Sequence, residues 1–258
     1  MAVRTLPLAL ALAASACHAG GDNGKTVRVA AAADLARAFE ELGKAFQART
    51  GIEALFTFGS SGMLAKQIEN SAPFYLFAAA NREYADEAAH SGHCDAGSIS
   101  PYARGRIVVW TPSGVAAPKT LAELADARFS KIAIANPEHA PYGQAAQQAL
   151  EKAGVWEQVK DRIVPGDNVQ SALRFAQTRN ADAAIVALSL AVVSDGGAFL
   201  QIDSALHAPL EQSLVVCGTG AEADRARQLV QFIASPDGRE IMTRYGFLLP
   251  NEQMSRRP

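Results

Sequence analysis

Four times along this chain an apolar run with strand character ends at a residue suited to starting a helix: Asp34, Ser60-Ser61, Pro141-Tyr142 and Asp167-Asn168. Such alternation implies a parallel sheet, because parallel strands need crossover helices between them. Thr26 to Ala32 and Ile52 to Phe58 read as the first two strands. Between them Leu35, Phe39, Leu42 and Phe46 recur at helical spacing until Gly51 stops the helix. Phe74 to Ala79 and Ile107 to Thr111 follow as apolar runs, and Pro112-Ser113-Gly114 then punctuates the chain. A second set of units comes next, with strands at Lys131 to Ala135 and Ala183 to Ala187. A last strand, Gln212 to Cys217, and one helix from Ala221 to Tyr245 complete the pattern.

The four junctions share a chemistry. The first turn of a helix leaves N–H groups without partners, and the macrodipole adds roughly +0.5 of a charge there. In parallel α/β sheets these turns lie at the carboxyl ends of the strands, where ligands bind. None of the four contains Lys or Arg, which suits a small anion held by dipoles and N–H groups rather than by ion pairs. Two precede Pro112 and two follow it, so a cleft between two lobes is lined from both sides. Well-capped helices with no ligand would satisfy the same residues.

Composition narrows the class. The chain has 258 residues, 49% apolar and 19% charged, with a formal net charge of -2. No basic stretch points to nucleic acid. Arg4, an apolar run from Leu6 to Ala14 and the small residues Ser15-Ala16-Cys17-His18-Ala19 make residues 1–19 a secretory signal, cleaved after Ala16 or Ala19. Ala14-Ser15-Ala16-Cys17 is also a degenerate lipoprotein box, which would anchor the protein through Cys17. In an oxidising compartment Cys94 and Cys217 are then permitted to pair, although two free thiols fit the sequence equally.

Beyond these readings the chain resembles a family. Val29 to Leu35, Phe58-Gly59-Ser60-Ser61-Gly62 through Gln67-Ile68, Ala72-Pro73 through Phe77, Asn136 to Gly143 and Arg244-Tyr245-Gly246-Phe247 are similar, in order, to the periplasmic molybdate-binding proteins of ABC transporters. The resemblance implies an α/β, type II periplasmic binding protein fold, with two lobes, each built on a central mostly parallel sheet, and a ligand cleft between them. Lobe I would comprise 26–111 and 209–250, and lobe II 112–208. It implies capture of molybdate or tungstate, with no cofactor, and delivery to a membrane permease and its ATPase by a monomeric protein of the periplasm. Carried over by position, the oxyanion meets Ser61 through its hydroxyl and N–H, the backbone N–H groups of Tyr142 and Val169, and the residues at 34 and 187. Ser60 and Asn168 stand beside these as further candidates.

Two positions depart from the family pattern, which has serine at 34 and tyrosine at 187. Here they are Asp34 and Ala187. A dianion about 4 Å from an ionised carboxylate is repelled by roughly 8 kcal/mol at an effective dielectric near 20. Asp34 therefore has three roles open to it: capping its own helix at Leu35 to Arg37, donating as a protonated acid, or ligating the metal centre directly. Tyr75, where an Asp is common, is expected at a core edge, and Asn168 is expected to cap its helix. Catalysis by His139 with Glu138, or by Ser61 with Lys66, lacks a nucleophile elbow or metal cluster to support it. A sensor of the same fold, or a binder of sulfate or phosphate, remains an alternative.

Overall fold

The computed structural model describes residues 25–250; the signal segment and Cys17 lie outside them. Its strands are β1 (Thr26–Ala32), β2 (Glu53–Gly59), β3 (Leu76–Ala79), β4 (Ser100–Gly105), β5 (Ile107–Pro112), β6 (Ile132–Ala135), β7 (Ile163–Gly166), β8 (Ala183–Ala187), β9 (Gly197–Gln201) and β10 (Leu210–Val216). The helices are α1 (Ala36–Thr50), α2 (Ser61–Glu69), α3 (Arg82–His90), α4 (Pro141–Lys152), α5 (Trp156–Val159), α6 (Val169–Gln177), α7 (Leu188–Ala191), α8 (Ala221–Ala234) and α9 (Pro236–Arg244).

Two five-stranded sheets carry the fold, in the orders β2-β1-β3-β10-β4 and β7-β6-β8-β5-β9. Their topologies match. In each, three parallel strands are followed by one reversed strand, β10 in the first and β5 in the second, and then by an edge strand antiparallel to it. Each reversed strand arrives by a crossing from the edge strand of the other sheet. The two lobes are thus joined by two crossings, β4 to β5 and β9 to β10.

The expected boundary at Pro112 is corrected by this pairing. Ile107–Pro112 bonds to β8 and β9 in the second sheet, so the chain changes sheet at Arg106. All six residues of β5 are buried, and a strand buried on both faces needs neighbours on both sides. Pro112-Ser113-Gly114 closes a turn within the second lobe, where Val115 N–H donates to the Pro112 carbonyl. The expected single helix from Ala221 to Tyr245 is likewise two helices, because Pro236 takes the first position of α9 and Ser235 caps it by accepting from Gly238 N–H.

Alternation along β1 feeds two cores. Val27, Val29 and Ala31 pack into the main apolar core, while Ala30 faces a smaller one under α2 and α3 with Leu64, Ile68 and Phe77. Cys94 and Cys217 belong to this smaller core and form a disulfide. It ties the segment after α3 to the end of β10 and closes a sequence separation of 123 residues. No helix among the described residues is long and apolar enough to cross a membrane.

Candidate functional site

Strand register sets the four junctions in pairs. Ala32 at the end of β1 lies opposite Gly59 at the end of β2, so the turns at Asp34 and Ser60 are neighbours on one lobe. Ala135 and Gly166 end β6 and β7 opposite each other, which places the Pro141 and Asn168 turns side by side on the second lobe. The two pairs face across a small cavity of about 10 Å³, lined by Asp34, Ser60, Ser61, Tyr142, Asn168 and Val169 among others, with no Lys or Arg in its wall. A larger groove, flanked by Arg37, Arg174 and Arg179, has none of Asp34, Ser60, Ser61, Tyr142 or Asn168 in its lining.

The lobes are closed on this cavity. Gly62 N–H donates to the His139 carbonyl at 2.9 Å, and Ser60 Oγ and His139 Nδ1 share a hydrogen bond at 2.8 Å. A Cβ at Gly62 would meet that His139 carbonyl oxygen at 2.8 Å, so glycine is what permits the approach. Ser189 donates its hydroxyl to the Asp34 carbonyl at 2.7 Å, a second tie between the lobes.

Each donor is presented by local structure. Ser61 is the first residue of α2, and its buried hydroxyl accepts from Ala80 N–H at 2.9 Å. That bond occupies a lone pair and leaves the hydroxyl proton for an acceptor in the cavity. Pro141 and Tyr142 open α4, and Val169 opens α6, so the N–H groups of Tyr142 and Val169 belong to first turns and have no intrahelical acceptor. Asn168 caps α6 as expected, its Oδ1 accepting from Gln170 and Ser171 N–H at 3.0 Å each. Ser60 is the N-cap of α2 by backbone only, since its side chain is engaged with His139.

Asp34 departs from the capping role. Its 3₁₀ turn is capped by Ala32 without a side-chain bond, and the carboxyl instead joins Tyr142 of the other lobe to Gln212 of its own. Its Oδ2 accepts from Tyr142 Oη at 3.0 Å and from Gln212 Nε2 at 2.5 Å. Gln212 in turn accepts from Tyr102 Oη at 2.8 Å, and both sit where β10 and β4 approach the crossing. Gly105 makes room for this cluster, for a Cβ there would lie 2.1 Å from the Tyr142 oxygen. Asp34 Oδ1 has no partner, alone among buried side-chain polar atoms of the described residues. Burial pushes the Asp34 carboxyl up to about 6, against the opposing pull of Gln212, Tyr142 and its own backbone N–H. Burial and the neighbouring carboxylate together raise Tyr142 well above the usual phenol range.

Ala187 ends β8 and is fully buried, and it does not line the cavity. Tyr75 stands at a core edge, under the Arg28 guanidinium and away from the cavity. Gln212 and Tyr102 were not expected from sequence. Their signal was faint: a lone Gln in an apolar strand, brought inward where β10 slips register between Gln212 and Ser213, a bulge of the kind that re-aims side chains.

Comparison with known proteins agrees with this geometry. Residues 27–248 match the model of the family described as bacterial extracellular solute-binding protein. The molybdate-binding protein ModA of Rhodobacter capsulatus is 33% identical over 222 residues, 86% of this chain and 88% of the relative. ModA of Azotobacter vinelandii is 33% identical over 246 residues, 94% of this chain and 96% of the relative. The solved periplasmic molybdate-binding protein of A. vinelandii superposes with a TM-score of 0.81 at 29% identity, over 87% of this chain and 99% of that one. With two matching lobes closed on a cavity of helix starts, and with these relatives aligned over almost its whole described length, the chain belongs to the bacterial extracellular solute-binding protein family, in company with the ModA proteins.

Proposed function

We propose that this protein captures molybdate, or tungstate, in the cavity between its lobes and delivers it to an ABC transporter permease on the outer face of the cytoplasmic membrane. One observation carries the reading: helix starts from both lobes and the Ser61 hydroxyl converge on one small cavity without a cationic side chain in its wall. A tetrahedral oxyanion fits such a set of neutral, convergent donors, and cationic clamps are replaced by oriented N–H groups. The Ser61 hydroxyl and N–H with the N–H groups of Tyr142 and Val169 supply the donors. Closure across Gly62 and His139 then offers the permease one surface made from both lobes. Resemblance to relatives named for molybdate favours it and tungstate over sulfate and phosphate, and binding rather than turnover is the activity.

The test is a thermal-shift series on the purified protein with molybdate, tungstate, sulfate, phosphate and chromate, since a ligand that binds only the folded state raises the midpoint. Molybdate and tungstate are expected to raise it by several degrees at micromolar concentration. A larger shift with sulfate or phosphate would replace the assignment.

A further inference from the structure

We propose that Asp34 makes oxyanion capture proton-coupled: the closed complex holds one proton, taken from solvent, between the Asp34 carboxyl and an oxygen of the bound dianion. The inference deepens the oxyanion reading above and rests on it.

The geometry leaves few other arrangements. Asp34 is 1% exposed and lines the cavity beside Ser60, Ser61 and Val169. Its Oδ2 is fully engaged by two donors, Tyr142 Oη and Gln212 Nε2, neither of which carries charge. Oδ1 accepts no hydrogen bond, and beyond the two donors on Oδ2 only the Asp34 backbone N–H exerts a further pull on the carboxyl. An ionised carboxylate with one oxygen bare, set against a dianion in a closed cavity, meets repulsion that no cation in the wall relieves. A proton on Oδ1 removes the repulsion and turns the bare acceptor into the O–H donor that the oxyanion lacks. The carboxyl already takes up its proton at about pH 6 without ligand, because burial outweighs its hydrogen bonds, and a neighbouring dianion moves that point higher still.

The groups facing Asp34 do not provide an alternative seat nearer the ligand. Tyr142 from α4 and Tyr102 from β4 are held protonated by burial and by Asp34 itself. Gln212 from β10 and Ser189 from α7 do not titrate. Arg106 at the crossing is turned to the Gly246 carbonyl, at 3.0 and 2.6 Å. His139 reaches the cavity wall only through Ser60.

Isothermal titration of the full protein with molybdate, from pH 5 to 8.5 in buffers of differing ionisation enthalpy, counts the protons taken up. The expected result is close to one proton above pH 6.5, with affinity falling about tenfold per pH unit there. Asp34→Asn places an amide donor where the protonated oxygen stands, so it is expected to bind with the parent's low-pH affinity at every pH and to take up no proton. Asp34→Ser serves as the second variant should the amide disturb folding, with the same expectation of a flat profile. Molybdate binding by the parent with no proton uptake and a flat profile overturns the inference and leaves the oxyanion reading standing. Proton uptake that survives in Asp34→Asn also overturns it, by putting the proton on another group. Loss of binding in both folded variants would make the carboxylate a direct ligand and overturn it as well. Absence of binding by any of the five oxyanions at any pH would remove both readings together.

Discussion

The Tyr142 hydroxyl donates to Asp34 Oδ2 at 3.0 Å across 108 residues of chain, so the lobes meet through a contact whose strength depends on the charge of that carboxyl. Deleting the hydroxyl removes one of the bonds that favour the ionised form. Tyr142→Phe is therefore expected to move the pH midpoint of molybdate binding upward. A bond to a charged group of about 1.5 kcal/mol corresponds to a shift of about one pH unit. Titration calorimetry across pH 5 to 8.5 checks it, and an unmoved midpoint would mean that the phenol does not act on Asp34.

Asp34 also governs the stability of the ligand-free protein. Its folded-state value, about 6, lies above its ordinary 3.8, so the folded form binds the proton more tightly than the unfolded chain does. The contribution is complete below pH 3.8 and is lost as pH rises through 6. A displacement of this size corresponds to about 3 kcal/mol. Asp34→Asn should accordingly be more stable than the parent at pH 8, by up to about 3 kcal/mol, and gain nothing at pH 4. Urea unfolding at the two pH values distinguishes this from a uniform effect.

Ser61 is the side chain proposed to contact the ligand directly. Ser61→Ala keeps the N–H at the start of α2 and loses the hydroxyl, a hydrogen bond to a charged acceptor worth about 1.5–3 kcal/mol. Affinity for molybdate should fall about 10-fold to 150-fold, as read by calorimetry, while the ligand-free protein loses about 1–3 kcal/mol of stability because Ala80 N–H is left without its acceptor.

Gly62→Ala tests closure separately from the donors. The new methyl group would stand 2.8 Å from the His139 carbonyl oxygen of the facing lobe. The closed form should be disfavoured and affinity reduced at least about tenfold, a loss of about 1.4 kcal/mol. Small-angle scattering with saturating molybdate should show a larger radius than the parent's.

The disulfide bears on stability alone. For the 123-residue separation it spans, the chain-entropy model assigns about 5 kcal/mol, or a fall in midpoint of about 10–15 °C in a protein of this size. Replacing Cys94 and Cys217 by alanine should produce that fall and leave molybdate affinity within about threefold. The bridge adjoins Val216, which pairs with Leu76 at the start of β3, whereas the cavity lies beyond the other end of that strand.

What sequence could express was local. The junction residues announced themselves because caps and prolines act within one turn of chain, and the apolar periods of β1, α1 and β6 needed nothing distant to be read. The edge strands β4 and β9 were missed for the opposite reason. Pro101, Arg104 and Gly105 have the composition of a loop, and Gly197–Gln201 is mostly exposed, so only their pairing with β10 and β5 makes them strands. The break before α9 was legible in Ser235-Pro236 and was read through. Asp34 shows the limit most clearly. Its local chemistry describes a helix cap, but its bonds are made with Tyr142 and Gln212, the latter 178 residues away, and no local signal encodes such a choice.

The Cys94–Cys217 bridge has a mechanical consequence. Tension applied to the two ends of the folded chain passes from one cysteine directly to the other, so the second sheet and both crossings, which lie between them in sequence, carry no load. Pulled from its ends, the oxidised protein should unravel only the segments outside the bridge. Reduction would release a further 123 residues, or about 400 Å of contour length, and expose the second lobe to force for the first time.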